Sequence, residues 1–449
     1  MRKAVLGVFV PVAATTILAG CGSANNSGSN VGNSTAGSQK VSGQTITYWA
    51  SQEGGSIPLE KKVLNKVTAN FQKQTGIHVK YQIITWANLW NKTLTAITSG
   101  NGPDVIDLGN TWASTFAGTG GFVSLTPQKI QKIGGKSKFL SSSMSVTGLS
   151  GKPPMSVPYM SLAYNMFYNK QMFNKAGITT PPKTWTQFVN DAQKMTGHGT
   201  YGMGVDGAEV QDNFHLFWIL LRQYGGKAVL NGKAQLDSQD SQKAAKFYTD
   251  LLKKYKVMDP DSAAWNNSQL VSNFANGKVA MIFGQGSSMP QIEADGMKRS
   301  QYGVAPLPLV PYGQQSVSGK NKIGSFIAGI DIGILKSSKH QTADLKFLKF
   351  MTSKQTQITL NKAYGSLPPV KSAENNAAFQ TPANKIYLNI LKNYAAPTPL
   401  IKNEGQMEQS IGKHLKTLLS DAAQNKLPQS EISNQLKKAN AEVSSILSK

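Results

Sequence analysis

The 449-residue chain is predicted to be an α/β protein with a mostly parallel sheet in its first part. Length favours two or three domains, or one large two-lobed body. Forty per cent hydrophobic residues suffice for a real core. From residue 45 onward the runs succeed each other as strand, helix, strand, helix, strand, the pattern of a sheet covered by helices.

Residues 1–20 read as a signal peptide: Arg2 and Lys3 precede an apolar run at 4–18 that is too short for a comfortable membrane span. Leu18, Ala19, Gly20 and Cys21 then resemble the bacterial lipobox, in which the cysteine is lipidated. Cys21 is the single cysteine of the chain and stands where that motif requires it, so lipidation at Cys21 and a membrane anchor are expected. Residues 21–44 continue as a Gly/Ser/Asn-rich tract that cannot bury a core and reads as a tether.

Alternation at 45–49 gives the first strand. A helix follows, opened by Pro58, with Leu59, Val63, Val67 and Phe71 on one face and Gly76 at its end. Residues 77–84 form a second strand, 89–97 lie in a second helix, and 104–108 make a third strand. The densest aromatic run is 158–177. Its first half alternates (Leu162, Tyr164, Met166, Tyr168) and reads as one buried strand, followed by a helix that stops at Gly177. Amphipathic helices are predicted over 238–255 and 430–446, with another around Leu345, Leu348 and Met351. Core packing explains each of these stripes, and there is no internal repeat.

The charge balance is 47 Lys+Arg against 23 Asp+Glu, formally +24. Nucleic-acid binding is disfavoured, because the lysines are scattered and arginine, the usual base and phosphate reader, occurs only at 2, 222 and 299. Attraction to an anionic cell surface is one reading of the excess. Life in acid, in an acid-adapted bacterium, is the preferred one: few carboxylates predict stability that stays nearly flat from neutral to about pH 3.

Catalytic motifs are weak. Residues 202–207 match GxGxxG, but a loop is expected after them and no acid stands about 20 residues on, so a strand end entering a Gly-rich loop accounts for the match. The five histidines are scattered, with no HExxH, and one cysteine excludes thiolate zinc chemistry. There is no GxSxG elbow. No enzyme activity, cofactor or metal is expected.

Several ordered segments carry a family resemblance. They are FQKQTGIHVKYQ, then residues 99–106, 120–126, 168–177 and 181–188. Further on come FANGKVAM at 274–281, YGVAPLP at 302–308, 343–353 and YGSLP at 364–368. Their ordered sum resembles the extracellular solute-binding proteins of family 1, the maltose-binding-protein-like sugar receptors of ABC importers. The resemblance implies a two-lobed periplasmic-binding-protein fold of type II, with a ligand cleft between lobes and a multi-strand hinge. It implies a first lobe of 45–156 with 303–353 and a second of 157–302 with 354–449. The crossings would then lie near 156–160, 302–306 and 353–366. It also implies a carbohydrate, a neutral oligosaccharide, captured by hinge closure and delivered to ABC-transporter permease subunits on the extracytoplasmic side of the membrane. A monomer is expected. The alternatives are the same fold with a non-sugar solute such as a glycerol phosphate or polyamine, or a surface lipoprotein holding anionic polymers.

A sugar cleft needs flat aromatic platforms with amide, hydroxyl and carboxylate partners at strand carboxyl ends. The residues leaving the first three strands have that chemistry: Gln52 and Glu53, then Trp86, then Asn110, Thr111 and Trp112. The resemblance places the second-lobe half at Asp212, Phe214, Gln285, Ser287 and Glu404. Tyr159 is a candidate at the hinge, and Trp265 and Phe326 are candidate stacking residues where relatives hold aromatics that this chain lacks. Trp49, Trp90, Trp185 and Trp218 read as core.

Overall fold

The computed structural model describes residues 41–448, Gly55 excepted. The expected signal peptide, Cys21 and the expected tether up to residue 40 lie outside the described residues. Residues 41–44, expected in the tether, belong to the body: Val41 is buried in the main core, and the Gly43 amide donates to the Gly76 carbonyl over 2.8 Å.

Two sheets organise the molecule. The first begins with β1 (Thr45–Ser51), whose alternation buries Ile46, Tyr48 and Ala50. Helix α1 (Ile57–Thr75) returns the chain to β2 (His78–Ile84), and α2 (Trp86–Ser99) to β3 (Val105–Gly109). Ser56 caps α1 at its start, and Gly76, at φ 71°, ends it in the left-handed conformation that glycine adopts without a Cβ clash. Helices α3 (Ala113–Thr119) and α4 (Pro127–Ile133) follow. Strand β4 (Ser156–Leu162) completes this stretch.

The chain then enters the second sheet with β5 (Asn165–Asn169). Helix α5 (Trp185–Lys194), strand β6 (Tyr201–Met203), helices α6 (Val210–Gln223) and α7 (Gln239–Lys253), and strands β7 (Val279–Gly284) and β8 (Tyr302–Ala305) build on it. Strand β9 (Ala328–Ile334) returns to the first sheet, where α8 (Gln341–Met351) and α9 (Lys354–Tyr364) also pack. Helices α10 (Glu404–Ala423) and α11 (Gln429–Leu447) lie against α6 and α7.

The first sheet has the order β2-β1-β3-β9-β4, and the second β8-β5-β7-β6. Strands β1, β2 and β3 are parallel, as the strand–helix alternation predicts, and β9 is antiparallel to both neighbours. Helices α1, α4, α8 and α9 cover one face, where Phe347 stacks edge-on against Tyr48 and Phe71. Helices α2 and α3 cover the other.

The stretch 158–177 is not one strand. It breaks at Ala163 and Tyr164, and its halves enter different sheets. All seven residues of β4 are buried, so alternation carried no signal of the break. Sheet membership also shifts the crossings later than expected. The first falls after Leu162 rather than at 156–160. The second falls after β8, in 306–327. The third falls after α9, since α9 packs on α1 and Leu367 pairs with Ser161 of β4. The first two crossings are joined where the Tyr164 amide donates to Ser325 Oγ over 2.9 Å.

Candidate functional site

The carboxyl ends of β1, β2 and β3 open into a cavity of about 440 Å³, walled on its far side by the start of α6 and the loop after β7. The first wall is set by short-range bonds. Trp86 opens α2, and its Nε1 donates to the Gln52 carbonyl over 3.0 Å, which fixes the indole plane. Ser51 Oγ donates to Glu53 Oε1 at 2.6 Å. Glu60 of α1 reaches up to accept from the Glu53 and Gly54 amides at 2.9 and 2.6 Å, so the loop after β1 is tied down. Burial pushes the Glu53 carboxyl well above the usual range; the Ser51 hydroxyl opposes this and the Glu60 charge adds to it. Asn110 Nδ2 donates to the Ile327 carbonyl at 2.8 Å, joining this wall to the second crossing.

The opposite wall holds a cluster centred on His215, which sequence reasoning missed, although Asp212 and Phe326 were expected there. His215 of α6 stacks on Phe326 at 4.0 Å between ring centroids, with Tyr164 edge-on at 6.0 Å. Its Nδ1 lies 3.5 Å from Asp212 Oδ1 and its Nε2 3.6 Å from Glu408 Oε1, long for hydrogen bonds but close enough for ion pairing. Burial pulls the imidazole pKa down, but the two carboxylates outweigh it and raise it to about 9. Burial also raises Asp212, yet His215 and the Tyr164 hydroxyl bond leave it lowered on balance. Glu209 is raised by burial and by the Asp212 charge, and Asp206, bonded to Asn267 Nδ2 at 3.0 Å, is raised further by burial. The spacing of Asp212 and His215, three apart on a helix, was the sequence signal available for this pair.

Ten expected residues meet at this cavity: Gln52, Glu53, Trp86, Asn110, Thr111 and Trp112 from the first wall, Asp212, Gln285 and Ser287 from the second, and Phe326 from the crossing. Trp112 is only 2% exposed, packed edge-on against Trp86 and Trp90, so it supports Trp86 more than it offers a face. Four expected residues lie elsewhere. Tyr159 is buried under the sheet and donates to Asp107 Oδ2 at 2.5 Å. Phe214 is core, because α6 starts at Val210 where a loop was expected, and the helix turns this ring inward. Trp265 packs in the second core beneath Lys278. Glu404 starts α10 and spends its oxygens on Ser114, at 2.6 Å, and Thr398. Each is an aromatic or acid whose type suits a cleft, but a buried partner claims it first.

The family model of the bacterial extracellular solute-binding proteins matches residues 54–358. The chain belongs to this family. Among relatives, the diacetylchitobiose binding protein DasA of Streptomyces coelicolor is 25% identical over 416 residues, covering 88% of each chain. The sn-glycerol-3-phosphate-binding periplasmic protein UgpB of Rhizobium meliloti is 22% identical over 393 residues, covering 83% of this chain and 85% of its own. An ABC transporter solute-binding protein from Thermotoga lettingae, solved with alpha-D-tagatose, superposes with a TM-score of 0.76 at 26% identity, covering 90% of this chain and 100% of its own. The family is one of substrate-binding proteins, and the cavity lies where an open α/β sheet binds its ligand. Among the described residues, no helix of this solute-binding protein is long and apolar enough to cross a membrane.

Proposed function

We propose that this solute-binding protein takes a neutral carbohydrate of oligosaccharide size into the cleft, closes on it by hinge motion, and hands it to an ABC permease. The observation that carries this is the lining. Trp86 offers an indole face on one wall, the mostly buried rings of Tyr164, His215 and Phe326 back the other, and amides and hydroxyls of Asn110, Thr111, Gln285 and Ser287 stand between them. Sugar rings present apolar C–H faces and a rim of hydroxyls, which this arrangement matches.

Among the described residues no lysine or arginine lines the cavity, in a chain that holds 47 of them. A phosphate ester would want such a partner. The acids do not favour a polyamine either. Burial raises Glu53 and Glu209 toward their neutral forms, and Asp212 faces the His215 cation. A thermal-shift screen of mono- and oligosaccharides tests the reading, since tight ligands raise the melting point by mass action. Trp86→Ala is expected to weaken the best sugar at least about tenfold. A shift produced only by a phosphate ester or a polyamine overturns the reading.

Lipid on Cys21, following the lipobox, would hold the protein on the extracytoplasmic face. Mass spectrometry of the membrane-extracted protein is expected to find an acylated N-terminal cysteine. Closure uses the crossings at Ala163–Tyr164 and 325–327, since Tyr164 belongs both to the first crossing and to the cleft wall.

A further inference from the structure

The positive charge of this protein is not evenly spread. The first lobe, comprising 41–162 and 328–367, contains 17 lysines, no arginine and six carboxylates. All six carboxylates are buried: Glu53, Glu60, Asp104, Asp107, Asp331 and Asp344. Among the described residues this lobe therefore shows solvent no acidic side chain. The second lobe differs, with Asp237, Asp261, Glu293 and Glu442 exposed among its lysines.

Within the first lobe the lysines favour one side. The layer formed by α1, α4, α8 and α9 carries ten, four on α1 and two on each of the others, and all but Lys129 are exposed. The only acids in that layer, Glu60 and Asp344, are 1% and 0% exposed. On the opposite face of the sheet, α2 and α3 hold a single lysine, Lys92. A general shortage of acid does not produce this contrast between two faces of one sheet. The layer covers the sheet face opposite α2 and α3, and only the start of α1 and the end of α9 reach the loop after β1.

We propose that this helical layer is a docking face for an anionic phospholipid surface. Its composition fits. Lysine is a strongly hydrated point charge suited to a diffuse field of headgroups, whereas site-by-site recognition of phosphate or sulfate along a polymer favours the arginine fork that this lobe lacks. Its position fits as well. The chain joins the body at Val41, buried in the same core as the layer, and Gly43 bonds the C-terminal cap of α1. Cys21 stands twenty positions before Val41. A lipid there, which is the anchoring proposed above, tethers the protein at the edge of its cationic face.

The test uses the chain from residue 21 onward with Cys21→Ser, so that binding owes nothing to a lipid. Sedimentation with vesicles of equal parts phosphatidylglycerol and phosphatidylcholine is expected to carry the protein down, and pure phosphatidylcholine vesicles are not. About 0.5 M salt should release it, because the Debye length then falls to a few ångström. One variant changes Lys61, Lys62, Lys346, Lys349, Lys354 and Lys362 to Gln. A matched one changes Lys233, Lys298, Lys385, Lys426, Lys437 and Lys438 of the second lobe to Gln. Each lysine near an anionic bilayer is worth roughly fivefold in partition, so with half of the six seated the first variant loses on the order of 100-fold. The matched variant is expected to lose under about threefold, which allows for net charge alone. An unchanged melting point shows that both variants fold. Equal losses from the two variants would overturn the proposal. So would retention by soluble polyphosphate without vesicle binding, which would make the face a polymer site. Absence of lipid on Cys21 in the membrane-extracted protein defeats the anchoring but leaves this binding measurable, so the two ideas fail separately.

Discussion

Trp86 meets the cavity with its ring because its one donor, Nε1, is already bonded to the Gln52 carbonyl. Trp112 has the same side chain and stands in an equivalent loop, yet Trp90 and Phe116 pack around it and leave 2% exposed. Which of two tryptophans presents a face is decided by neighbours distant in sequence. His215 is the residue whose role sequence reading missed entirely. Its folded pKa of about 9 lies above the ordinary 6.5, so the imidazolium contributes stability that is fully present below about pH 6.5. That contribution is lost as pH rises through about 9. The melting temperature is therefore expected to drop between pH 7 and pH 9.5 more in the native chain than in His215→Asn, and identical slopes would sink the ion-pair reading.

The crossings depend on backbone approach. Gly286, in the loop after β7, and Gly365, at the end of α9, meet backbone to backbone, and a Cβ at Gly286 would lie 2.3 Å from the Gly365 carbonyl oxygen. Neither partner in that contact is a side chain that can swing aside. Gly286→Ala is expected to cost about 1–3 kcal/mol in chemical denaturation, as overpacking does. It should also weaken the ligand by several fold, since the loop carries Gln285 and Ser287. An unaltered denaturation midpoint and affinity would show that this contact yields freely. Helix α10 adds a second tie across the cleft: Thr111 Oγ1 donates to Glu408 Oε2 at 3.2 Å and Ser114 Oγ to Glu404 Oε2 at 2.6 Å, while the body of α10 packs on α6. These links join residues nearly three hundred positions apart, which no local pattern reveals.

Burial of acids also changes the expected response to pH. Burial pushes Asp107, Asp331 and Asp344 each up to about 7, against about 3.9 for an unfolded aspartate. A raised folded pKa means that the native state keeps a proton the unfolded state releases. The stabilisation is complete below about pH 4 and is lost as pH rises through about 7. Asp212 and Glu442, held low, act in the opposite sense. With more carboxyls raised than lowered, stability is expected to increase on acidification from pH 7 to about pH 4, where scarcity of acids alone implied a flat profile. Asp331 is the cleanest probe: Ser156 Oγ bonds Oδ2 at 2.6 Å and Oδ1 has no partner. Asp331→Asn mimics the protonated form and should flatten part of the slope in melting temperature between pH 5 and pH 8. A native melting point that climbs steadily toward neutral pH contradicts this account.

The strand–helix alternation, the helix caps and the position of the strand ends were legible in the residues, because each rests on local periodicity and on turn chemistry within a few positions. Gln52, Glu53, Trp86, Asn110 and Thr111 follow directly from them, as the residues leaving three parallel strands. The break at Ala163 and Tyr164 was not legible, since strands buried on both faces look continuous whether or not they change sheets. Nor were the fates of Tyr159, Phe214, Trp265 and Glu404, whose types suit a ligand as well as they suit Asp107, a helix core, a second core and Ser114. Composition showed how many lysines the chain has. Packing assigned the first lobe's carboxylates to the interior and left the lysines of one helical layer facing water, because an acid with a hydroxyl or amide partner can be buried, whereas an unpaired ammonium on a long stem stays in solvent.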